Sequence, residues 1–262
     1  VLVKVRKLQQ KRGWAWNLAV PILKPLLLAT TSRTWVGGEK VPETGGCIVV
    51  FNHLSHVDPL TAAHFVYDHG RLPRYLAKSG LFKNRFLGFF FTAAGQIPVE
   101  RLSKTAVGAY DAAVAAVRNG ECVVVYPEGT LTRDPALWPM TGKSGAARIA
   151  LETGCPVIPV GQWGAQELLA PYAKRPDLFP RKHITMRAGD PVDLSDLIPL
   201  ERTPAVVQQA TDRIMAALTV LVEEIRGETA PAERFDPRKA GVSQIGNPNK
   251  KADKLADKKD RP

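Results

Sequence analysis

His53 and Asp58 lie five positions apart at a sharp change in the character of the chain. Cys47-Ile48-Val49-Val50-Phe51 reads as a buried strand, and Asn52-His53-Leu54-Ser55-His56-Val57-Asp58-Pro59 turns polar at once. On a continuous helix, residues five apart point about 140° from each other, so the two side chains would diverge. Across a strand-to-helix bend they can converge. A carboxylate bonded to one imidazole nitrogen fixes the tautomer and raises the basicity of the other, which can then take a proton from a hydroxyl. That is a general base with no protein nucleophile. The same spacing also fits Asp58 as a plain helix N-cap, with Pro59 at the first helical position and His53 an ordinary loop histidine. His56 is only two residues from Asp58, too close for the same loop geometry, and reads as a surface or packing residue.

Strands alternating with helices must hold these groups, because the ends of strands in open α/β sheets are where ligands bind. A helix is expected from Pro59 to about His69, and a short strand over Tyr75-Leu76-Ala77-Lys78. Leu81 to Phe91 is aromatic on more than one helical face, which suits a membrane surface, an acyl-chain wall or plain core burial. Leu102 to Asn119 reads as an amphipathic helix, and Glu121 to Tyr126 as a second buried strand leading into Pro127-Glu128-Gly129-Thr130. Lys143 opens a further helix, where a first-turn lysine opposes the helix dipole and so favours an anionic partner. Val157 to Val160 and Ile184 to Arg187 are strand-like, and Thr203 to Arg226 is a long helix with periodic apolar residues.

Four blocks, Asn52–Asp58, Gly95–Arg101, Tyr126–Thr130 and Gly154–Val160, occur in the order found in the glycerolipid acyltransferases. The chain resembles that family, in particular its bacterial 1-acyl-sn-glycerol-3-phosphate acyltransferases. The resemblance implies an α/β domain with a mixed, mainly parallel sheet flanked by helices. It also implies acyl transfer from acyl-CoA or acyl carrier protein to the sn-2 hydroxyl of lysophosphatidic acid, with His53 and Asp58 catalytic. Arg101 would grip the acceptor phosphate, as a permanently charged, fork-shaped donor set suits. Glu128, Gly129 and Thr130 would complete the acceptor site, Glu128 by accepting from acceptor hydroxyls or by bracing the basic residues. Many relatives continue Gly-Thr-Arg; here Leu131 follows, with Arg133 two positions on, so Arg133 and Lys143 are alternative phosphate contacts.

The composition agrees with a charged lipid partner. The 262 residues are 45% hydrophobic, enough for one sizeable core, and carry a formal charge of +11. Phosphorylated small molecules, an anionic membrane face and nucleic acid all suit that charge, but no DNA- or RNA-reading motif is present. A non-enzymatic basic binding protein is the rival of another class. Cys47, Cys122 and Cys155 form no Cys-x-x-Cys pair and read as reduced packing residues, with no metal site and no cofactor expected. Residues 1–34 read as a basic and apolar helical segment for the cytoplasmic face of a membrane, residues 35–226 as the α/β domain, and residues 227–262 as a flexible basic tail.

Overall fold

Strand β2 (Cys47–Phe51) runs through the middle of the sheet with all five side chains buried. The computed structural model describes residues 5–99, 106–243 and 246–247, the side chains of Lys78, Ala106 and Val107 excepted. In chain order the elements are α1 (Trp14–Thr30), β1 (Thr31–Val36), β2, α2 (Asp58–Asp68), β3 (Pro73–Lys78), α3 (Arg85–Ala93), β4 (Ile97–Val99), α4 (Ala106–Arg118), β5 (Cys122–Val125), α5 (Gly145–Thr153), β6 (Val157–Trp163), α6 (Ala165–Leu168), β7 (Lys182–Ala188) and α7 (Pro204–Arg226). Among the described residues the strands form one seven-stranded sheet in the order β1-β7-β6-β2-β5-β3-β4. Every neighbouring pair is parallel except β6 with β7. This is the mixed, mainly parallel sheet expected above.

The β-branched runs of β2, β5 and β6 are apolar on both faces because helices cover both sides. Ile48, Val50, Val123 and Val125 pack against α4, α5 and α7 through residues such as Val117, Ile149, Ile214 and Leu218. Val49, Phe51 and Val124 face the other way, onto Ala62, Phe65 and Val66 of α2. Helix α7 is long and apolar enough to cross a membrane by length and composition, yet its apolar face is core.

The sheet's connections decide where chemistry can sit. Strands β2 and β5 are adjacent, but the chain leaves β2 for β3 on one side and leaves β5 for β6 on the other. Crossovers departing in opposite directions open a crevice at the strand ends. In the β2–β5 register, Val50 pairs with Val125, so the polar segments that follow Phe51 and Val125 emerge side by side.

Helix α1 is pinned to this core by charge. The fully buried Asp68 carboxylate, at the end of α2, accepts from Lys24 Nζ at 2.6 Å and from Trp35 Nε1 at 3.3 Å, with Arg33 Nε at 3.5 Å. His64 Nε2 lies 3.4 Å away; burial pulls this imidazole down to about 4 against the raising effect of Asp68, so it is neutral at pH 7. Removing the shared acceptor strands two cations, Lys24 and Arg33, at once. Asp68→Ala is expected to lower the unfolding free energy by about 3 kcal/mol, read from urea denaturation.

Three features differ from the sequence reading. Strand β1 lies where the sequence reading placed no strand, because it is a half-exposed edge strand with little apolar periodicity. Helix α5 begins at Gly145, so Lys143 precedes it and lies outside its first turn. Residues 227–243 are not a free tail: Thr141 N donates to Phe235 O at 3.0 Å, and Ala230 N to Glu223 Oε1 at 2.7 Å.

Candidate active site

His53 stands two residues past β2, half-exposed, with Nδ1 2.8 Å from Asp58 Oδ2. Asp58 is fully buried at the first turn of α2. Its carboxylate does not cap the helix ahead of it. Oδ2 instead accepts from the backbone N–H groups of Leu54 at 2.6 Å and Ser55 at 2.8 Å, folding the connector back around the acid. Three donors on one oxygen hold the carboxylate in place, and the imidazole is thereby oriented with Nε2 free of Asp58. Pro59 sits in the first turn of α2 as expected.

Neighbouring polar groups hold the connector itself. Asn52 ties β2 to β6: its Nδ2 donates to Gln162 O, its Oδ1 accepts from Gln162 N, and Gln162 Nε2 donates to Asn52 O at 2.6 Å. Ser55 Oγ donates to Leu169 O at 2.6 Å. His56 is exposed and turned away from Asp58, edge-on to the Tyr172 ring at 5.7 Å. Burial first, then the nearby His53, lowers its pKa.

Glu128 joins the two motif segments. Its buried carboxylate accepts from His53 N at 2.8 Å and from Met140 N at 3.2 Å, while Thr132 N donates to His53 O at 2.8 Å. Burial pushes Glu128 up to about 8, against the backbone N–H groups of His53 and Met140 that favour its ionised form. The sequence reading put this side chain on the acceptor or against basic residues; the contacts found are to the backbone N–H groups of His53 and Met140. Gly129 has φ +70°, the left-handed conformation that favours glycine, and a Cβ there would lie 2.9 Å from Lys143 Cδ. Lys143 is exposed, its side chain lying over Gly129, and its N–H donates to Pro127 O at 2.7 Å. Thr130 is buried beside them.

Arg133 is also buried, but its guanidinium is engaged within the protein. Nη1 donates to Tyr172 Oη, Nη2 donates to Gly246 O at 2.7 Å, and the group lies 4.9 Å from the Tyr172 ring. Arg101 lies outside the described residues. Among the described residues, no cluster of His, Cys, Asp and Glu is arranged to hold a metal ion.

Sequence reasoning gave no role to Tyr126, whose ring stacks on His53 with centroids 4.2 Å apart and planes 25° from parallel. The register of β2 with β5 contains the signal: one residue past the Val50–Val125 pair, position 126 comes up beside position 51.

A family model described as Acyltransferase matches residues 33–163, half of the chain. The chain belongs to the acyltransferase family. The match covers β1 to β6 and so includes His53, Asp58 and Glu128. Among curated relatives of this acyltransferase, a 1-acyl-sn-glycerol-3-phosphate acyltransferase of Borreliella burgdorferi is 32% identical over 138 residues, covering 52% of each chain. The chloroplastic 1-acyl-sn-glycerol-3-phosphate acyltransferase BAT2 of Brassica napus is 30% identical over 135 residues, 51% of this chain and 38% of that one. The chain thus spans about half the length, or less, of these two. The Bacillus subtilis enzyme of the same name is 26% identical over 182 residues, 67% of this chain and 83% of that protein. The crystal structure of the 1-acyl-sn-glycerophosphate (LPA) acyltransferase from Thermotoga maritima shares the fold, with a TM-score of 0.56 and 21% identity over 80% of this chain and 82% of that one.

Proposed function

We propose that this acyltransferase moves a fatty acyl group from a thioester, acyl-CoA or acyl carrier protein, to the sn-2 hydroxyl of lysophosphatidic acid, giving phosphatidic acid. The observation that carries the reading is the 2.8 Å contact between His53 Nδ1 and the buried Asp58 at the sheet's crevice. The names of the relatives support the acceptor.

In this mechanism His53 Nε2 takes the proton of the acceptor hydroxyl as its oxygen attacks the thioester carbonyl. Asp58 holds the tautomer and stabilises the imidazolium. The tetrahedral intermediate collapses with loss of the thiolate, to which His53 returns the proton. No acyl group rests on the protein. Lys143 over Gly129, together with Arg101, supplies charge for the phosphate; holding both reactants in place is worth on the order of 7–11 kcal/mol of barrier. Thiol release from palmitoyl-CoA, measured over a panel of lysolipids, tests the reading. Release with phosphate-monoester acceptors is expected. Release only with acceptors lacking that group would move the assignment to another lysolipid, and no release with any would reject it.

The acceptor is a membrane lipid, and the apolar exposure of the protein is placed to meet one. Leu18, Ile22 and Leu26 form an outward row on α1, while Phe86 (83% exposed) and Phe89 (67% exposed) project from α3. Trp14 stacks on Phe89 at 5.2 Å, so the two helices present adjoining apolar surface, flanked by exposed Lys11, Arg12, Lys83 and Arg85. Trp16 turns inward instead, its Nε1 donating to Ala94 O at 3.1 Å. Changing Phe86 and Phe89 together to serine is expected to weaken co-sedimentation with phosphatidylglycerol vesicles by about tenfold or more. Undiminished sedimentation would remove α3 from the lipid-facing surface.

A further inference from the structure

The hydrogen bond from His53 Nδ1 to Asp58 holds the imidazole by one edge, and the faces of the ring must be supported by packing. Tyr126 lies face-on against the imidazole at 4.2 Å, and Tyr75 lies behind Tyr126 at 6.4 Å with planes 9° from parallel. Tyr75 Oη donates to Pro59 O at 2.8 Å, on the residue next to Asp58. The contacts therefore close a loop, from Asp58 to His53, Tyr126, Tyr75 and back to the first turn of α2.

The hydroxyl of Tyr126 is not what this arrangement uses. Its oxygen is buried with no hydrogen-bond partner among the described residues, which is a cost and not a contribution. What remains is the ring face. An aromatic face attracts a cation more strongly than a neutral ring, by an amount that grows when water is excluded. In the proposed reaction His53 is neutral before the proton transfer and cationic after it. The stack is then worth more in the transition state than in the ground state, the condition under which a contact accelerates a reaction.

We propose that Tyr126 is a positioning residue for His53: its ring supports the face of the imidazole and stabilises the imidazolium formed as the acceptor hydroxyl loses its proton. The inference rests on His53 being the base.

Replacement of Tyr126 by phenylalanine and by phenylalanines carrying one, two and three ring fluorines separates electrostatics from packing, because fluorination weakens the negative ring face with little change of shape. Tyr126→Phe is expected to keep kcat within about twofold, and kcat to fall stepwise along the series to about three- to tenfold lower, with KM and Tm little changed. Tyr126→Leu, which removes the face altogether, should fall at least as far as the trifluorinated variant. A flat series, or Tyr126→Leu with unaltered kcat, overturns the proposal. His53→Ala, assayed alongside, keeps the two readings apart: if it is inactive while the series is flat, only the role of Tyr126 fails, and if it retains activity, the general-base assignment fails first.

Discussion

His53→Ala is expected to lower kcat by about 10³-fold while leaving thermal unfolding near that of the parent. The size follows from the loss of a positioned general base, which typically supplies about 10²- to 10⁴-fold. The fold should tolerate the change, since His53 is partly exposed and its own backbone, not its ring, is bonded to Glu128 and Thr132. Asp58→Asn is the sharper experiment. His53 Nδ1, Leu54 N and Ser55 N all meet the same Oδ2, so an asparagine that keeps its oxygen there preserves the three bonds while removing the negative charge. The imidazolium formed as His53 takes the acceptor's proton then loses the buried anion that stabilises it. A loss of about 10²-fold or more in kcat, with KM for the lysolipid nearly unchanged, is the expected result. A folded His53→Ala protein with an unchanged rate would defeat the mechanism.

Glu128→Ala is expected to damage both stability and rate. The carboxylate holds His53 N and Met140 N from a buried position, and alanine leaves both donors without an acceptor. Each stranded buried group costs about 1–3 kcal/mol, so the loss should be about 2–6 kcal/mol by urea denaturation. Released from this tie, the connector that aligns His53 with Asp58 loosens, and kcat should fall by more than tenfold. The pH dependence has a definite sign. Since burial raises the Glu128 pKa to about 8 in the folded protein, the folded state holds a proton there that the unfolded chain releases near 4.5. Its share of stability is full below about pH 4.5 and is lost as the pH climbs through 8. Glu128→Gln removes this titration, so its Tm deficit relative to the parent should shrink between pH 5 and pH 8. A constant deficit over that range would contradict the raised pKa.

Local pattern was enough to read the strand–bend–helix unit around His53, because five buried apolar residues followed by polar ones and Asp-Pro leave few alternatives. The same holds for α7, whose apolar residues recur at helical spacing over six turns. What could not be read is non-local. The bond from His53 N to Glu128 joins positions 75 apart, and the Asn52–Gln162 clamp joins positions 110 apart; neither leaves a trace in its own neighbourhood. The local pattern also allowed Asp58 to cap the helix that follows it, yet its carboxylate serves the N–H groups of the bend that precedes it. Arg133 was a candidate for the phosphate because it stands two positions past where relatives continue Gly-Thr-Arg, whereas Tyr172 and Gly246, brought in from later segments, occupy its guanidinium. Strand β1 escaped notice for the opposite reason: an edge strand with one solvated side needs few apolar residues.

The pairing of β2 with β5 makes turnover a gauge of how the chain has assembled. Shifting one strand along the other by a single residue would carry Glu128 about 3.3 Å from its place, out of reach of the amide of His53, and turn the Tyr126 ring to the opposite side of the sheet. A misaligned product would therefore be inert instead of sluggish. In any preparation, the fraction of molecules able to react in a single-turnover burst counts those whose central strands have paired correctly.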